Sequence, residues 1–186
     1  MKRSKRRNMP SIYNIVQYPS EILLRPAKGF SRFSRAKDLE DFLHEATLRN
    51  KGLAVAANQV GVNASAFFMK VNDQNTFMLN PRLLDTSMDT VVMEEGCLSI
   101  NGVLWHVRRP SEILVQWHDT CGNVIEQEFA GLEARVILHE MDHLSGSVLP
   151  DYLDDEMFDV FIEAYTSSLK KTNTYVEVDE EIVVRY

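Results

Sequence analysis

Apolar residues step at three and four through residues 34–49, where Leu39, Phe42, Leu43 and Ala46 fall on one helical face. Ser34 stands where an N-cap is expected and Gly52 where the helix should stop. Between Ala64 and Val115 the apolar runs shorten to strand length, as in Ala66-Phe67-Phe68-Met69 and Phe77-Met78-Leu79, with Asn72-Asp73 and Asn80-Pro81 as turns. Ile113 to Trp117 and Val124 to Phe129 flank a turn at 119–123 that contains Gly122-Asn123, the pattern of a hairpin. Through 131–144, Leu132, Val136, Ile137, Met141 and Leu144 are mixed in spacing and free of proline, which predicts a mostly buried helix ending at Gly146. Past Pro150, residues 151–171 read as a second amphipathic helix carrying Met157, Val160, Phe161, Ala164 and Leu169, and 175–186 as a β-prone tail.

The chain has 186 residues, 45% hydrophobic and 25% charged, which fits one ordinary globular domain and excludes a collagenous or disulfide-stapled scaffold. A formal net charge of −7 leaves no general basic surface, so direct DNA binding is not expected. Residues 1–10, with Lys2, Arg3, Lys5, Arg6 and Arg7, form a basic flexible tail that no apolar stretch follows, so neither membrane insertion nor secretion is expected. The two cysteines are too few for a framework of bridges and fit a reducing compartment.

In His139-Glu140-Met141-Asp142-His143 the histidines stand four apart, so on a helix both imidazoles project from one face and can chelate one metal ion. Glu140 lies beside that site without having to ligate, which suits a general base. A catalytic site of this type takes a third protein ligand, and Cys97 in Glu95-Gly96-Cys97-Leu98-Ser99 is the candidate; Cys121, in the hairpin turn, is read as structural. His44, His106 and His118 lack matched partners and are read as surface or satisfied histidines.

Taken together, Glu95 to Ser99 and His139 to His143 resemble the EGCLS and HExDH signatures of the peptide deformylases. Gly52-Leu53-Ala54-Val55-Ala56-Ala57-Asn58-Gln59 is similar to that family's GxGxAAxQ, upstream in the required order, with further echoes at Tyr18-Pro19, Leu24-Arg25-Pro26-Ala27 and Val107-Arg108-Arg109-Pro110. The resemblance implies an α+β fold in which antiparallel strands pack around a central metal-binding helix, with N-terminal and C-terminal helices. Residues 11–153 would form the catalytic domain, and 154–186 would pack on it as a helix and tail.

The resemblance further implies a metal-dependent hydrolase that removes the formyl group from the N-terminal formylmethionine of new polypeptides. One divalent ion, Fe2+ in the native state with Zn2+, Ni2+ or Co2+ as alternatives, would be held by Cys97, His139 and His143. Glu140 would act as base and then acid, with Gln59 and the Leu98 backbone N–H meeting the oxyanion. Gly52, Ala54, Val136 and Ile137 would contact substrate, and Glu95, Asp142, Arg108 and Arg109 would orient the ligands. A cytoplasmic or organellar monomer acting on nascent chains is expected, with ribosome contact by the tail or the last helix as an accompanying role. A related N-acyl amidase or peptidase and a catalytically silent, metal-stabilised binding module are the alternatives. Ala54, Leu138 and Asn101 depart from the family's glycine, glutamine and proline.

Overall fold

The computed structural model describes residues 12–170 and 176–183, so the basic tail at 1–10 lies outside the described residues. A short 3-10 turn, Phe33–Arg35, leads into α1, Ala36–Asn50. The helix starts later than the periodicity predicts: Arg35 rather than Ser34 occupies the N-cap position, and no side chain caps it. Its end is set by Lys51, at φ 56°, one residue before the expected glycine.

The strands are β1 Ala54–Ala56, β2 Ala66–Val71, β3 Gln74–Thr86, β4 Thr90–Cys97, β5 Ile100–Pro110, β6 Glu112–His118 and β7 Val124–Ala130. They are followed by α2, Gly131–Ser145, then α3, Asp155–Lys170, and β8, Val176–Val183. Asn72 and Asp73 both take positive φ, 52° and 59°, and make the tight two-residue turn between β2 and β3 that the sequence predicts. Asn80-Pro81 is not a turn. It interrupts the β3 register between Leu79 and Arg82 as a bulge, held there because the Asn80 side chain accepts from Phe30 N–H at 2.6 Å and donates to Phe30 carbonyl at 2.8 Å.

Five strands form one antiparallel sheet in the order β1-β2-β3-β6-β7, and β4-β5-β8 form a second. The β5–β8 pair runs parallel, while every other strand pair is antiparallel among the described residues. Helix α2 lies between the sheets, touching β1, β2, β6 and β7 on one side and β5 on the other. Alternation along β2 sends Phe67 and Met69 toward α2, where they meet Ile137 and Leu138, while Phe68 faces Leu43 and Ala46 of α1. A third apolar cluster joins Trp105 and Val107 of β5 to Phe161 and Tyr165 of α3 and includes Cys97. Each large side chain so buried contributes about 1.5–3 kcal/mol. Near its C-terminus α3 is fastened to the start of the chain: the Tyr165 hydroxyl donates to the Tyr18 carbonyl at 3.0 Å.

The C-terminus of α2 is stopped by Gly146 at φ 82°, as predicted, and for a second reason that local sequence does not reveal. A Cβ at this position would overlap the backbone of Arg25, which crosses directly over it.

Candidate functional site

Cys97 arrives at the end of β4, and His139 and His143 stand one turn apart on α2. Their ligand atoms all lie within 4.8 Å of one another, with Cys97 Sγ 3.2 Å from His143 Nε2. Both residues of this last contact are buried, and His139 is nearly so. Gln59, in the 3-10 turn Ala57–Val60 after β1, directs its amide nitrogen at the Ser99 hydroxyl, 3.2 Å away, and toward Cys97 Sγ, 3.7 Å away. Its amide oxygen accepts from Ala56 N–H at 2.9 Å, which fixes which end of the amide faces the cysteine.

A ring of buried charge stands behind the histidines. Glu95 contacts His139 Nδ1 at 2.9 Å, leaving Nε2 of that imidazole for the site. Arg109, fully buried, donates from Nη2 to Glu95 at 2.9 Å and from Nη1 to Asp142 at 2.8 Å. Arg135 donates to Glu95 at 2.6 Å and to the carbonyls of Val107 and Val91. Tyr152 donates its hydroxyl to Asp142 at 3.3 Å.

These surroundings divide the carboxylates into two kinds. Burial works to raise Glu95, but its bonds to His139 and Arg109 win and hold it down at about 2, so it is an anion throughout the ordinary range. Glu140 has no such partners: burial raises it despite the nearby His143 and His139, and its Oε2 makes no hydrogen bond. Asp142 is also raised by burial, against the pull of Arg109. The Cys97 thiol, which burial alone would raise, lies well below its ordinary value because His143 and His139 stabilise the thiolate.

The site opens into a cavity of about 340 Å³ whose lining includes Gly52, Ala54, Gln59, Leu98, Val136 and Glu140. At Gly52 a Cβ would sit 2.8 Å from Leu98 Cδ1 and 3.2 Å from the Ala54 carbonyl oxygen, so the Leu98 side chain would have to shift. The structure thus brings together Cys97, His139, His143, Glu140, Gln59, Leu98, Gly52, Ala54 and Val136. It does not bring Ile137 to the cavity: its side chain is fully buried in the core beside the five-stranded sheet. Nor does Arg108 join the charged ring, because alternation along β5 turns Arg109 inward with Trp105 and Val107 and leaves Arg108 against Thr90.

Arg135, Asn58, Ser99 and Tyr152 are site-supporting residues that motif reading passes over. Arg135 carried a usable signal, standing four residues before His139 on the same helix face. Asn58 had none: its amide donates to the His143 carbonyl at 2.5 Å, a contact between residues 85 apart in sequence. Of the remaining histidines, His44 packs tilted against Phe68 and His118 tilted against Phe33, and Cys121 is exposed in the hairpin turn.

Residues 12–158 match the sequence profile of the Polypeptide deformylase family. The peptide deformylase of Synechocystis is 35% identical over 161 residues, 81% of each chain, and that of Thermotoga maritima is 33% identical over 142 residues, 75% of this chain and 86% of its own. The crystal structure of the Ehrlichia chaffeensis peptide deformylase in complex with actinonin superposes with a TM-score of 0.78 at 31% identity, covering 86% of this chain and 98% of that one.

Proposed function

We propose a mechanism from one premise: this chain belongs to the polypeptide deformylase family. It is a hydrolase that removes the formyl group from the N-terminal formylmethionine of newly made polypeptides. The observation that carries the mechanism is the convergence of Cys97, His139 and His143 next to a cavity lined by Gln59 and Glu140.

The family uses a divalent metal, and this donor set fits one: a stabilised thiolate and two imidazoles, one of them oriented through its other nitrogen by Glu95. Cys97, His139 and His143 would hold it, with Fe2+ as the native ion and Zn2+, Ni2+ or Co2+ able to occupy the same soft donors. When bound, the ion lowers the pKa of a water and polarises the formyl oxygen.

Glu140 takes the proton of the attacking water on its buried carboxylate, whose raised proton affinity suits the task, and delivers it to the departing amine nitrogen. Water oxygen joins the formyl carbon, the C–N bond breaks, and formate and a free α-amino group result. Gln59 and the Leu98 backbone N–H donate to the formyl oxygen as it gains charge. Gly52 and Ala54 run along the substrate backbone, and Val136 lines the wall that receives the methionine side chain. Glu95 fixes the His139 tautomer, and Arg109 and Asp142 keep Glu95 in place.

Residues 11–153 act as the catalytic unit, with Asp155–Lys170 and Val176–Val183 packed on it. The chain works as a cytoplasmic monomer on nascent peptides, with ribosome contact by the basic tail or the last helix as an accompanying role; an organellar setting is the alternative. No described helix is long and apolar enough to cross a membrane.

The test is formate release from a formyl-methionyl peptide by anaerobically prepared, metal-analysed protein beside Glu140→Gln. Turnover with about one metal per chain, mostly lost in the variant, is the expected result. Preference for an acetylated peptide would reassign the site to a related N-acyl amidase or peptidase. Metal without turnover on any acyl peptide would leave a binding module.

A further inference from the structure

Residues 15–18 run between the two segments that carry Gln59 and Leu98. Val16 N–H donates to the Gln59 carbonyl at 2.7 Å, and Tyr18 N–H donates to the Ser99 carbonyl at 2.9 Å. Between them, the Gln17 side-chain amide donates to the Leu98 carbonyl at 3.0 Å, with a longer shared contact to the Ile15 carbonyl at 3.3 Å. One short stretch of chain thus grips both segments from outside.

The grip matters most at Leu98. The β4–β5 ladder pairs Gly96 with Leu104 and then, after a register shift, Cys97 with Ile100, so Leu98 and Ser99 form the turn beyond the last pair. The Leu98 carbonyl, in the peptide that leads to Ser99, therefore lies beyond the last ladder pair. The strap itself is firmly seated, because the Tyr18 carbonyl accepts from Tyr165 and the Tyr18 ring packs edge-on against Phe161 and Tyr165.

We propose that Gln17 is a positioning residue for deformylation: through the Leu98 carbonyl it sets the placement of the Leu98 N–H relative to the Gln59 amide. The proposal rests on the deformylase reading above. Donors of this kind stabilise developing charge only when they are held in advance at the right place, so a loosened Leu98 turn weakens the transition state more than the bound substrate. Gln17 touches neither the ligand residues nor Glu140.

The test compares Gln17→Ala, Gln17→Glu and Gln17→Lys with wild type in the metal-loaded full chain. Gln17→Ala lowers kcat about three- to tenfold, the worth of one side chain–backbone hydrogen bond, with KM within about twofold and with metal content and melting temperature unchanged. Gln17→Glu falls at least as far, because a carboxylate then faces a carbonyl, whereas Gln17→Lys recovers most of the rate by donating to the same oxygen. Hydrogen exchange of the Leu98 amide in the same protein quickens in Gln17→Ala. An unchanged kcat in Gln17→Ala, an equal loss in all three variants, or a loss that follows metal content or melting temperature overturns the proposal. If wild type releases no formate, the deformylase reading fails and takes the catalytic part of the proposal with it, whereas unchanged Leu98 exchange in Gln17→Ala overturns the positioning part by itself.

Discussion

Arg109 donates to Glu95 with two nitrogens and to Asp142 with a third, so one fully buried guanidinium joins the carboxylate that orients His139 to one borne by the ligand helix itself. Two carboxylates are held side by side away from water and share this cation, with Arg135 as a second one for Glu95.

Arg109→Met therefore leaves Asp142 buried without its cation and Glu95 with only Arg135 and His139. Breaking such a set by removing one member typically costs about 3–5 kcal/mol, and the expected outcome is a loss of that order in urea denaturation. Arg109→Lys recovers only part of it, since an ammonium cannot reproduce the planar fork.

Acid stability should carry the signature of Glu95. Its folded-state value, about 2, lies below the ordinary 4.5, so the unfolded chain binds the extra proton first as pH falls. The contribution is fully present above about 4.5, declines below it, and is gone once pH has dropped through about 2. Denaturant midpoints measured across that window should fall steeply in wild type and more gently in Glu95→Gln, which starts from a lower plateau.

Gln59→Ala should retain metal yet lose about 10²–10³ in kcat, the usual effect of deleting one donor to a developing oxyanion. Formate release under saturating substrate, beside metal analysis of the same sample, checks both halves.

Gly146→Ala should destabilise the fold by more than 1 kcal/mol, roughly the penalty for placing a side chain at positive φ, because the added methyl also meets the Arg25 backbone. A thermal melt measures it. The equivalent change at Gly61, also at positive φ but with nothing within 4 Å of its Cβ position, should cost less.

The parts of this molecule that were legible in its sequence are those decided locally. The turn at Asn72-Asp73, the hairpin around 119–123 and the extent of α2 follow from residues that prefer the backbone shapes they adopt. The His139–Glu140–His143 spacing placed its side chains because a helix leaves little choice. What local pattern misjudged was decided by distant contacts. Asn80-Pro81 reads as a turn until Phe30 grips the Asn80 side chain, and Ser34 reads as a cap although the helix begins after it. Ile137 and Val136 are equally apolar, and only the positions of the sheets decide which one reaches the cavity. Arg109 was separable from Arg108 by strand alternation with Trp105 and Val107, a signal the motif reading did not apply. The parallel docking of β8 against β5 carries no local mark at all.

The fastening of Tyr165 to Tyr18 spans 147 residues, and the Asn58 tether to His143 spans 85. A site closed by links of such long range cannot mature while its chain is still being made, since the entropy of closing those loops is recovered only when both ends exist. The deformylase thus acquires its own ligand geometry only once the segment carrying Tyr165 has been made, and an ion captured earlier would meet histidines and a cysteine not yet arranged to hold it.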